Sequence, residues 1–489
     1  MSRNVLAFDI GVSGGQAVLG CFSDGRIVLR KVYSFGNRPI RLGDTVYWDI
    51  MTLFGHIKRG IRAAADSGGF ESIGIDTWGV DFAFIGKSGN YIEAPVHYSD
   101  KRTKDIFSYA FEKVPRDEFY DITGNRLLET NTVFQIMSVM RDRPKLFASA
   151  EKILTVSDLL NYMLSGTGCT DRSSASTTQM MDIHRFHWAY NLTEKIGIPR
   201  RLLPEIVPCG KVLGNVKPEI CSETGITSAK TIAVCGHDVQ CSAAAVPAEE
   251  DEFMFLIAGT WALFGIVSGV PLVSELSCRM NITNEVGLGE KITSYKSLVG
   301  LWLINETLRQ WRKEDFDIDF SAMAALAAEA KPFGCFIDPN SSEFLSPGNI
   351  PEKIRGFCRR TGQKVPCSRS EIARCIFESL ALSFRFCYDE FRACTRRIYK
   401  RIYIVGKGCR LEMLCAMTAD ACGCEVISGP AEAVSYGNSA IQLLALGEIS
   451  SVRDTVSVIG ASENIRVCRP VCTSAWNDAY SVFRKIRGK

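Results

Sequence analysis

The chain has 489 residues, of which 46% are hydrophobic and 23% are charged, and its formal net charge is +3. This composition is that of an ordinary globular protein, and the length predicts more than one domain. So small a charge excess predicts neither nucleic acid nor a membrane surface as a partner. The longest apolar region, 253–267, is interrupted by Gly259, Thr260 and Gly265, so it does not have the pattern of a membrane span.

Nineteen cysteines are scattered along the chain without a CxxC pair. Only four apolar residues precede Asp9, which is too short a run for a signal peptide. We therefore expect reduced thiols and a cytoplasmic location. A thiol or metal enzyme is a weak alternative, because Cys235 alone has a histidine, His237, at a suggestive spacing. The HxxH pair at 184–187 has no third ligand nearby in the sequence.

The first predicted elements are a strand at 5–8 that stops at Asp9, a glycine-rich turn (GVSGGQ, 11–16), and two further strands at 17–22 and 27–35. Glycines let backbone N–H groups approach a phosphate, and a carboxylate at the end of a strand can hold a hydrated Mg²⁺. No GKS or GKT follows, so the turn is not a Walker A loop. A plain hairpin turn is the alternative.

A helix is predicted at 49–65 and a buried strand at 72–75, followed by the motif DTWGVDF. Gly79 in this motif would let a ligand approach the backbone, and Trp78 could either stack on a sugar or lie in the core. The polar segment HYSDKRT, 97–103, suits a polyol ligand, with a solvated loop as the alternative.

Residues 153–164 are predicted to form a helix and residues 173–179 a hydroxyl-rich loop. A short buried strand at 231–234 is followed by GHDVQCSAAAV, in which small residues after the His237–Asp238 pair predict a helix start at a cleft. We interpret Asp238 as a general base. The alternative is that it only caps the helix, because aspartate is a preferred N-cap residue.

An acidic break after Pro247 places a domain boundary near 244–253. The predicted domains are 1–245 and 253–450, followed by a C-terminal tail, 451–489.

The strand–turn–strand pattern returns at 255–268, with Thr260 in the turn, so two such hairpins could hold a triphosphate. Helices are predicted at 302–311 and 372–391. A strand at 401–405 is followed by a GKG turn and a helix, which again places N–H groups, here with Lys407, where an anion binds.

Several motifs resemble those of the FGGY carbohydrate kinase family. They are IDTWGVDF at Ile75, HD at His237, GTW at Gly259, NITNE at Asn281, GLWL at Gly300, ARCIFESLAL at Ala373, ADACG at Ala419, GPAEA at Gly429 and GN at Gly437. IDTWGVDF together with GLWL resembles the rhamnulokinase branch of the family. The resemblance implies an α/β fold of two actin-like, ribonuclease-H-like domains with ATP and sugar in the cleft between them, in a monomer or a homodimer.

The resemblance also implies a reaction: Mg²⁺-dependent transfer of the ATP γ-phosphate to the 1-hydroxyl of L-rhamnulose, giving L-rhamnulose 1-phosphate. Asp238 would then be the base and Asp9 the ligand of a Mg²⁺-bound water. The positions that match substrate contacts are Gly79, His237, Val239 and Ser297. The positions that match ATP contacts are Val12, Ser13, Gly14, Gly15, Gln16, Thr260, Asn305, Gly406 and Lys407.

The chain departs from the family pattern at five positions. Gln16 replaces a phosphate-facing arginine, Ser297 replaces an asparagine, Ser99 replaces the arginine of YRD, Ala258 replaces the serine before GTW, and Lys407 is the middle residue of a turn of three glycines. These departures leave two alternatives open: a kinase for another ketose, such as L-fuculose or L-xylulose, and a low-turnover paralogue that senses sugar or nucleotide.

Overall fold

A computed structural model describes residues 3–314 and 318–487, which form two compact α/β units. The first unit consists of Met1–Ala245, Ser268–Ser294 and Ala433–Ser462, and the second of Val246–Val267, Tyr295–Glu432 and Glu463–Lys489. The two-domain α/β architecture expected from the family resemblance is confirmed. The predicted domain ranges are contiguous, whereas each unit collects separate stretches of the chain, so these ranges stay a sequence-level prediction.

The strands of the described residues are numbered in chain order. They are β1 (Arg3–Ile10), β2 (Gly14–Ser23), β3 (Arg26–Gly36), β4 (Ile40–Leu42), β5 (Thr45–Tyr47), β6 (Ser72–Thr77), β7 (Phe82–Gly86), β8 (Ala150–Thr155), β9 (Thr170–Asp171), β10 (Met181–Asp182), β11 (His187–Trp188), β12 (Ile206–Val207), β13 (Lys211–Asn215), β14 (Lys230–Ala233), β15 (Phe253–Ala258), β16 (Trp261–Ser268), β17 (Thr283–Val286), β18 (Ile292–Val299), β19 (Arg401–Val405), β20 (Glu425–Ser428) and β21 (Arg466–Cys468).

The α-helices are numbered in the same way. They are α1 (Ile50–Asp66), α2 (Ile106–Lys113), α3 (Arg116–Thr123), α4 (Thr132–Asp142), α5 (Pro144–Ala148), α6 (Val156–Ser165), α7 (Arg172–Thr177), α8 (Tyr190–Ile196), α9 (Pro218–Thr224), α10 (Asp238–Ala244), α11 (Glu275–Arg279), α12 (Trp302–Trp311), α13 (Phe320–Glu329), α14 (Ser342–Leu345), α15 (Ile350–Arg360), α16 (Arg369–Thr395), α17 (Glu412–Cys422), α18 (Ala433–Ala445), α19 (Val452–Ser462) and α20 (Thr473–Ile486).

The first unit is built on a six-stranded sheet in the order β13-β14-β6-β1-β2-β3. The central strand β1 pairs antiparallel with β2 and parallel with β6, and residues 5–8 of β1 are fully buried. Such an apolar run is typical of a strand covered on both faces. In the parallel register, Asp9 lies beside Asp76 at the carboxyl ends of β1 and β6.

Two helices cover this sheet. The carboxylate of Asp49 accepts a hydrogen bond from Thr52 N and so caps α1, whose apolar residues then point inward at helical spacing. Helix α18 packs against β1 and β6, and Gln442 Nε2 donates to the Leu6 carbonyl at 3.1 Å. A stretch near the end of the chain therefore completes the core of the first unit.

In the second unit the strands lie in the order β18-β16-β15-β19-β20-β21. The long helix α16 begins with a capping box formed by Ser368 and Glu371, and it buries an apolar stripe that includes Phe377, Phe384 and Phe391. The expected hairpin at 255–268 is confirmed as β15 and β16, joined by a turn at Gly259 and Thr260.

Two of the local predictions are wrong. Residues 153–155 belong to β8, which pairs with β7, and the predicted helix begins only at Val156. Residues 173–177 form most of α7 rather than a loop, because the Asp171 carboxylate caps that helix and makes a helical turn favourable for a hydroxyl-rich segment.

No helix among residues 3–314 and 318–487 is long and apolar enough to cross a membrane.

Close approach of α10 and α18 requires a glycine at position 437. A methyl group there would lie 1.8 Å from the Cys241 carbonyl oxygen, which belongs to the backbone of α10. We expect Gly437→Ala to push the two helices apart and to destabilise the first unit by about 1–3 kcal/mol or more. The measurement is the unfolding midpoint in a thermal or urea denaturation.

Gly460→Ala is the matched control. Gly460 also lies in a helix of the first unit, but no atom lies within 4 Å of a methyl group placed there. Alanine is the better helix former, so this variant should be unchanged or stabilised by about 1 kcal/mol. Equal midpoints for the two variants would contradict the close-packing argument.

Candidate active site

A buried carboxylate, Asp171, organises the backbone around the predicted base. Its Oδ1 accepts a hydrogen bond from Ser173 N at 2.8 Å, and its Oδ2 accepts one from Gly236 N at 3.1 Å. Ser173 Oγ in turn accepts a hydrogen bond from His237 N at 3.2 Å. A methyl group at Gly236 would clash with Ser174 Oγ at 2.3 Å, so only glycine fits there. Asp171 and Ser173, at the start of α7, therefore fix the turn that carries His237 and Asp238.

His237 is paired with a carboxylate that sequence reasoning did not single out. Its Nδ1 lies 2.7 Å from Glu285 Oε2, which also accepts a hydrogen bond from Gln240 Nε2 at 2.9 Å. Burial by itself lowers the pKa of His237, but the charge and hydrogen bond of Glu285, helped by Asp238, outweigh burial and raise the pKa to about 9. The imidazole is therefore a cation at neutral pH, held against Asp238.

Asp238 is the first residue of α10, and His237, not Asp238, occupies the N-cap position. The interpretation of Asp238 as a mere capping residue is therefore wrong. Its Oδ1 lies 3.6 Å from His237 Nε2. Burial raises the pKa of Asp238, whereas the charge of His237 and a hydrogen bond from Val239 N act in the opposite direction. A carboxylate with a raised pKa is a better proton acceptor than an exposed one.

Three carboxylates of the first unit interact electrostatically here: Asp9, Asp76 and Asp238. Burial raises the pKa of Asp76 well above its usual value, and the charges of Asp9 and Asp238 raise it further. Asn438 Nδ2 donates to Asp76 Oδ2 at 2.6 Å, but Oδ1 is buried and has no hydrogen-bond partner among the described residues. Carboxylates that interact electrostatically, one of them with an orphaned buried oxygen, suit a hard divalent cation such as Mg²⁺ bound through water.

The predicted substrate position Gly79 lies next to His237. A methyl group at Gly79 would be 3.4 Å from His237 Nε2 and 3.2 Å from Thr177. The structure thus brings together Gly79, His237 and Val239, although the Val239 side chain is buried. Ser297 is half-buried on β18 and belongs to the second unit.

The rest of the DTWGVDF motif is a rigid support. Trp78 lies in the core rather than on an exposed face: its ring centroid is 4.1 Å from that of Trp48, and both indole N–H groups donate to Asp81. Burial raises the pKa of Asp81 to about 6, against the effect of these donors. Val80 is held at a φ of 70°, a conformation that a β-branched residue rarely adopts and that marks strain near functional sites.

The polar segment 97–103 is anchored rather than loosely solvated. Asp100 accepts hydrogen bonds from Val46 N and Arg102 N, each at 2.9 Å. Arg102 donates to Gln135 Oε1, and Gln135 donates to Asp81 Oδ1 at 3.1 Å. Hydrogen bonds therefore connect this segment to Asp81, the buried aspartate that also binds Trp48 and Trp78.

The first glycine-rich turn presents the predicted ATP positions at the end of β1. Gly11 N donates to Gly14 O at 2.9 Å, which leaves Val12 and Ser13 exposed at the tip. Methyl groups at Gly14 and Gly15 would clash with Phe35, at 2.7 Å and 2.5 Å, so both glycines allow a close approach to β3. At the end of the turn, Gln16 Nε2 donates a hydrogen bond to Asp9 Oδ2 at 3.1 Å. The side chain of Gln16 thus contacts the predicted metal ligand.

The second unit gathers its predicted ATP residues around the end of β15. The carbonyl of Thr260 accepts hydrogen bonds from Gly300 N and Trp302 N, which joins the turn to the start of α12, where Asn305 lies. A methyl group at Gly406 would be 3.2 Å from the Ala258 carbonyl oxygen, so the two turns are in contact. Lys407, in the same turn as Gly406, is exposed to solvent.

Comparison with known proteins decides the family. The family model for the N-terminal domain of the FGGY family of carbohydrate kinases matches residues 4–245, and the model for the C-terminal domain matches residues 254–446.

The chain belongs to the FGGY family of carbohydrate kinases.

Curated relatives extend over nearly the whole length of this FGGY kinase. It is 34% identical to a rhamnulokinase of Bacteroides thetaiotaomicron, with 99% of each chain covered. It is 32% identical to a rhamnulokinase of Oceanobacillus iheyensis, with 94% of this chain and 97% of the relative covered.

Solved structures support the fold. A ligand-bound xylulose kinase from Lactobacillus acidophilus superposes with a TM-score of 0.82 at 15% identity, over 99% of this chain and 98% of that one. Plasmodium falciparum glycerol kinase with ADP superposes with a TM-score of 0.79 at 16% identity, over 99% and 97%.

Three buried residues of this FGGY kinase site escaped sequence reasoning: Asp76, Asp171 and Glu285. The sequence did contain an indication of Asp76, because this residue directly follows a predicted buried strand, as Asp9 does. Asp171 lies directly before a run of serines, a pattern that can indicate a cap. Glu285 contacts His237 from 48 positions away, and nothing in the local sequence indicates that pairing.

The Glu285 contact should control the protonation of His237. We expect Glu285→Gln to weaken proton binding by His237 about tenfold or more, because burial then acts without the opposing charge. The chain has only five histidines, so an NMR titration of the imidazole resonances can follow this one.

The same pair makes stability depend on pH. A histidine whose pKa rises on folding stabilises the folded state fully below about pH 6.5, its unfolded pKa, and loses that contribution as the pH rises through about 9. This loss between pH 6.5 and 9 should disappear in Glu285→Gln. Glu290→Gln, which changes an exposed carboxylate paired with Arg172, is the control. An unaltered His237 titration in Glu285→Gln would contradict the assignment.

Proposed function

We propose that this FGGY kinase transfers the γ-phosphate of ATP to the 1-hydroxyl of L-rhamnulose. The curated relatives named rhamnulokinase, similar over nearly the full length, support the choice of sugar. The observation that carries the chemistry is Asp238, a half-buried carboxylate of raised pKa at the start of α10, next to the cationic His237.

Asp238 acts as the general base in this proposal. It takes the proton of the attacking hydroxyl as that oxygen forms its bond to phosphorus. Glu285 keeps His237 protonated, and His237 can then donate a hydrogen bond to the sugar or balance the Asp238 charge. Gly79 leaves room beside this pair, since a side chain there would crowd Thr177 and touch His237.

Asp9 and Asp76 would hold Mg²⁺ through its water shell. When bound, the ion neutralises charge on the ATP phosphates. The Gln16 amide donates a hydrogen bond to the Asp9 carboxylate and so orients it. Gln16 therefore serves as a positioning residue for the metal ligand in this proposal, where relatives carry an arginine.

Backbone amides of glycine-rich turns bind the ATP phosphates in this proposal. The turn at 11–16 supplies N–H groups from the first unit, and the turns at Thr260 and Gly406 supply them from the second. Lys407 adds a mobile positive charge at the latter turn, since its side chain is exposed. Asn305, near the start of α12, is the further residue proposed to contact the nucleotide, and Ser297 the further residue proposed to contact the sugar.

We also propose a cytoplasmic enzyme. All nineteen cysteines lie in the described residues and are free thiols, which suits a reducing compartment. The monomeric or homodimeric state stays a prediction from the family resemblance.

Asp238→Asn tests the base assignment. The variant should lose sugar-dependent ADP formation about 10²–10⁴-fold, because the amide cannot accept the proton. The measurement is the rate of ADP release in a coupled assay with ATP and Mg²⁺. Asp44→Asn, which changes an exposed aspartate between β4 and β5, is the control and should retain activity. Normal turnover in a folded Asp238→Asn variant would rule out the base role.

A panel of sugars tests the substrate. ADP release should be fastest with L-rhamnulose when L-rhamnulose, L-fuculose, L-xylulose, D-xylulose and glycerol are compared at equal concentration. A preference for another ketose would keep the mechanism and change the substrate. If no sugar of the panel gives ADP release but ATP still binds in a direct binding assay, the sensing alternative is favoured.

A further inference from the structure

Three buried cysteines of the second unit bring their sulfur atoms together. Cys335 lies in the loop after α13, Cys358 near the end of α15, and Cys375 in the second turn of α16. The three Sγ atoms all lie within 4.8 Å of one another, and all three residues are buried. Among the described residues, no other group of three or more histidine, cysteine or acidic side chains converges in this way.

This spacing is close to that of a zinc site. With Zn–S bonds of about 2.3 Å and tetrahedral angles, the sulfurs bound to one zinc ion lie about 3.8 Å apart. Small side-chain rotations would bring the three thiols to that separation. We propose that Cys335, Cys358 and Cys375 form a three-thiolate site for Zn²⁺, separate from the kinase site.

The backbone around Cys335 is already fixed for such a role. Phe336 N donates to Gln363 Oε1 at 2.9 Å, just beyond α15, and Ile337 N donates to Ser379 Oγ at 3.0 Å, on α16. The loop is thus anchored to the segments that carry the other two thiols. Preorganised ligands reduce the entropy lost when an ion binds.

A cavity of about 220 Å³ reaches the cluster and supplies an open position. Cys335 and Cys375 line it, together with Lys364 and Arg374. The space is sufficient for a water molecule as the fourth ligand. Three thiolates around Zn²⁺ would carry one excess negative charge. The two cations of the cavity lining, Lys364 and Arg374, are paired with Glu371 and Glu378, so the rest of the lining is electrically balanced.

The three thiols also interact with one another through hydrogen bonds. Hydrogen bonds from the Cys335 and Cys375 thiols hold the pKa of Cys358 below that of an ordinary thiol. Binding of Zn²⁺ would displace the remaining thiol protons into solvent, with no change in the oxidation state of sulfur. The ion would then join a loop and two helices of the second unit and act as a structural clamp.

The experiment uses the full-length protein, kept reduced and stripped of metal by a chelator. Titration with Co²⁺ should give a thiolate-to-cobalt charge-transfer band that saturates at one ion per chain, and one equivalent of Zn²⁺ should remove it. Cys335→Ala, Cys358→Ala and Cys375→Ala should each weaken Co²⁺ binding at least tenfold. Cys387→Ala, which removes another buried thiol of α16, is the matched control and should bind like the wild type.

A second measurement needs no variant. X-ray absorption at the zinc edge of the wild-type protein should report three sulfur neighbours at about 2.3 Å. A shell with two sulfurs or fewer, a wild-type protein that gives no saturable band, or full binding by Cys358→Ala would overturn the proposal. A disulfide between two of the three cysteines that remains after treatment with a reducing agent would also overturn the proposal. Kinase activity is measured in parallel and is expected to be unaffected by Cys387→Ala.

Discussion

The site of the first unit depends on one buried ionic anchor, the carboxylate of Asp171. It accepts hydrogen bonds from the first turn of α7 and from Gly236 N, so a helix and the turn after β14 share one acceptor. Burial, together with the charge of Asp171, raises the pKa of the nearby Asp158 to about 8, so Asp158 is neutral at pH 7. A single negative charge, satisfied by several donors, is far less costly to bury than two. Without this anchor, neither His237 nor Asp238 would have a defined position.

The other charged side chains of the site interact with their neighbours in turn. Glu285 keeps His237 protonated, and His237 lies against Asp238. The charges of Asp238 and Asp9 both raise the pKa of Asp76. Packing charges of one sign in a low-dielectric pocket raises pKa values, and an interposed cation moderates the effect. The arrangement therefore raises the pKa of Asp238, the proposed base, and places it among the carboxylates proposed to hold a metal ion.

Much of this could be predicted from sequence. The strands around Asp9, the hairpin at 255–268 and the helix at 302–311 follow from local apolar periodicity, and the family motifs identified Asp238. Local patterns were wrong for residues 173–177, which are helical because Asp171 caps α7. They left open whether Trp78 contacts a ligand or lies in the core, and the structure buries it against Trp48 with its N–H group bound to Asp81. Pairings such as His237 with Glu285 are set by the tertiary fold and leave no local trace.

The discontinuous first unit has a consequence for biosynthesis. Its central strand β1 is synthesised long before α18, which covers that strand. Ser72 and the Leu6 carbonyl form hydrogen bonds with Gln442, which lies 370 and 436 positions later in the chain, respectively. Domains ordinarily fold in sequence from the N-terminus during translation. Here the first unit cannot close until α18 has been synthesised, so one face of the nascent sheet stays incompletely covered until then.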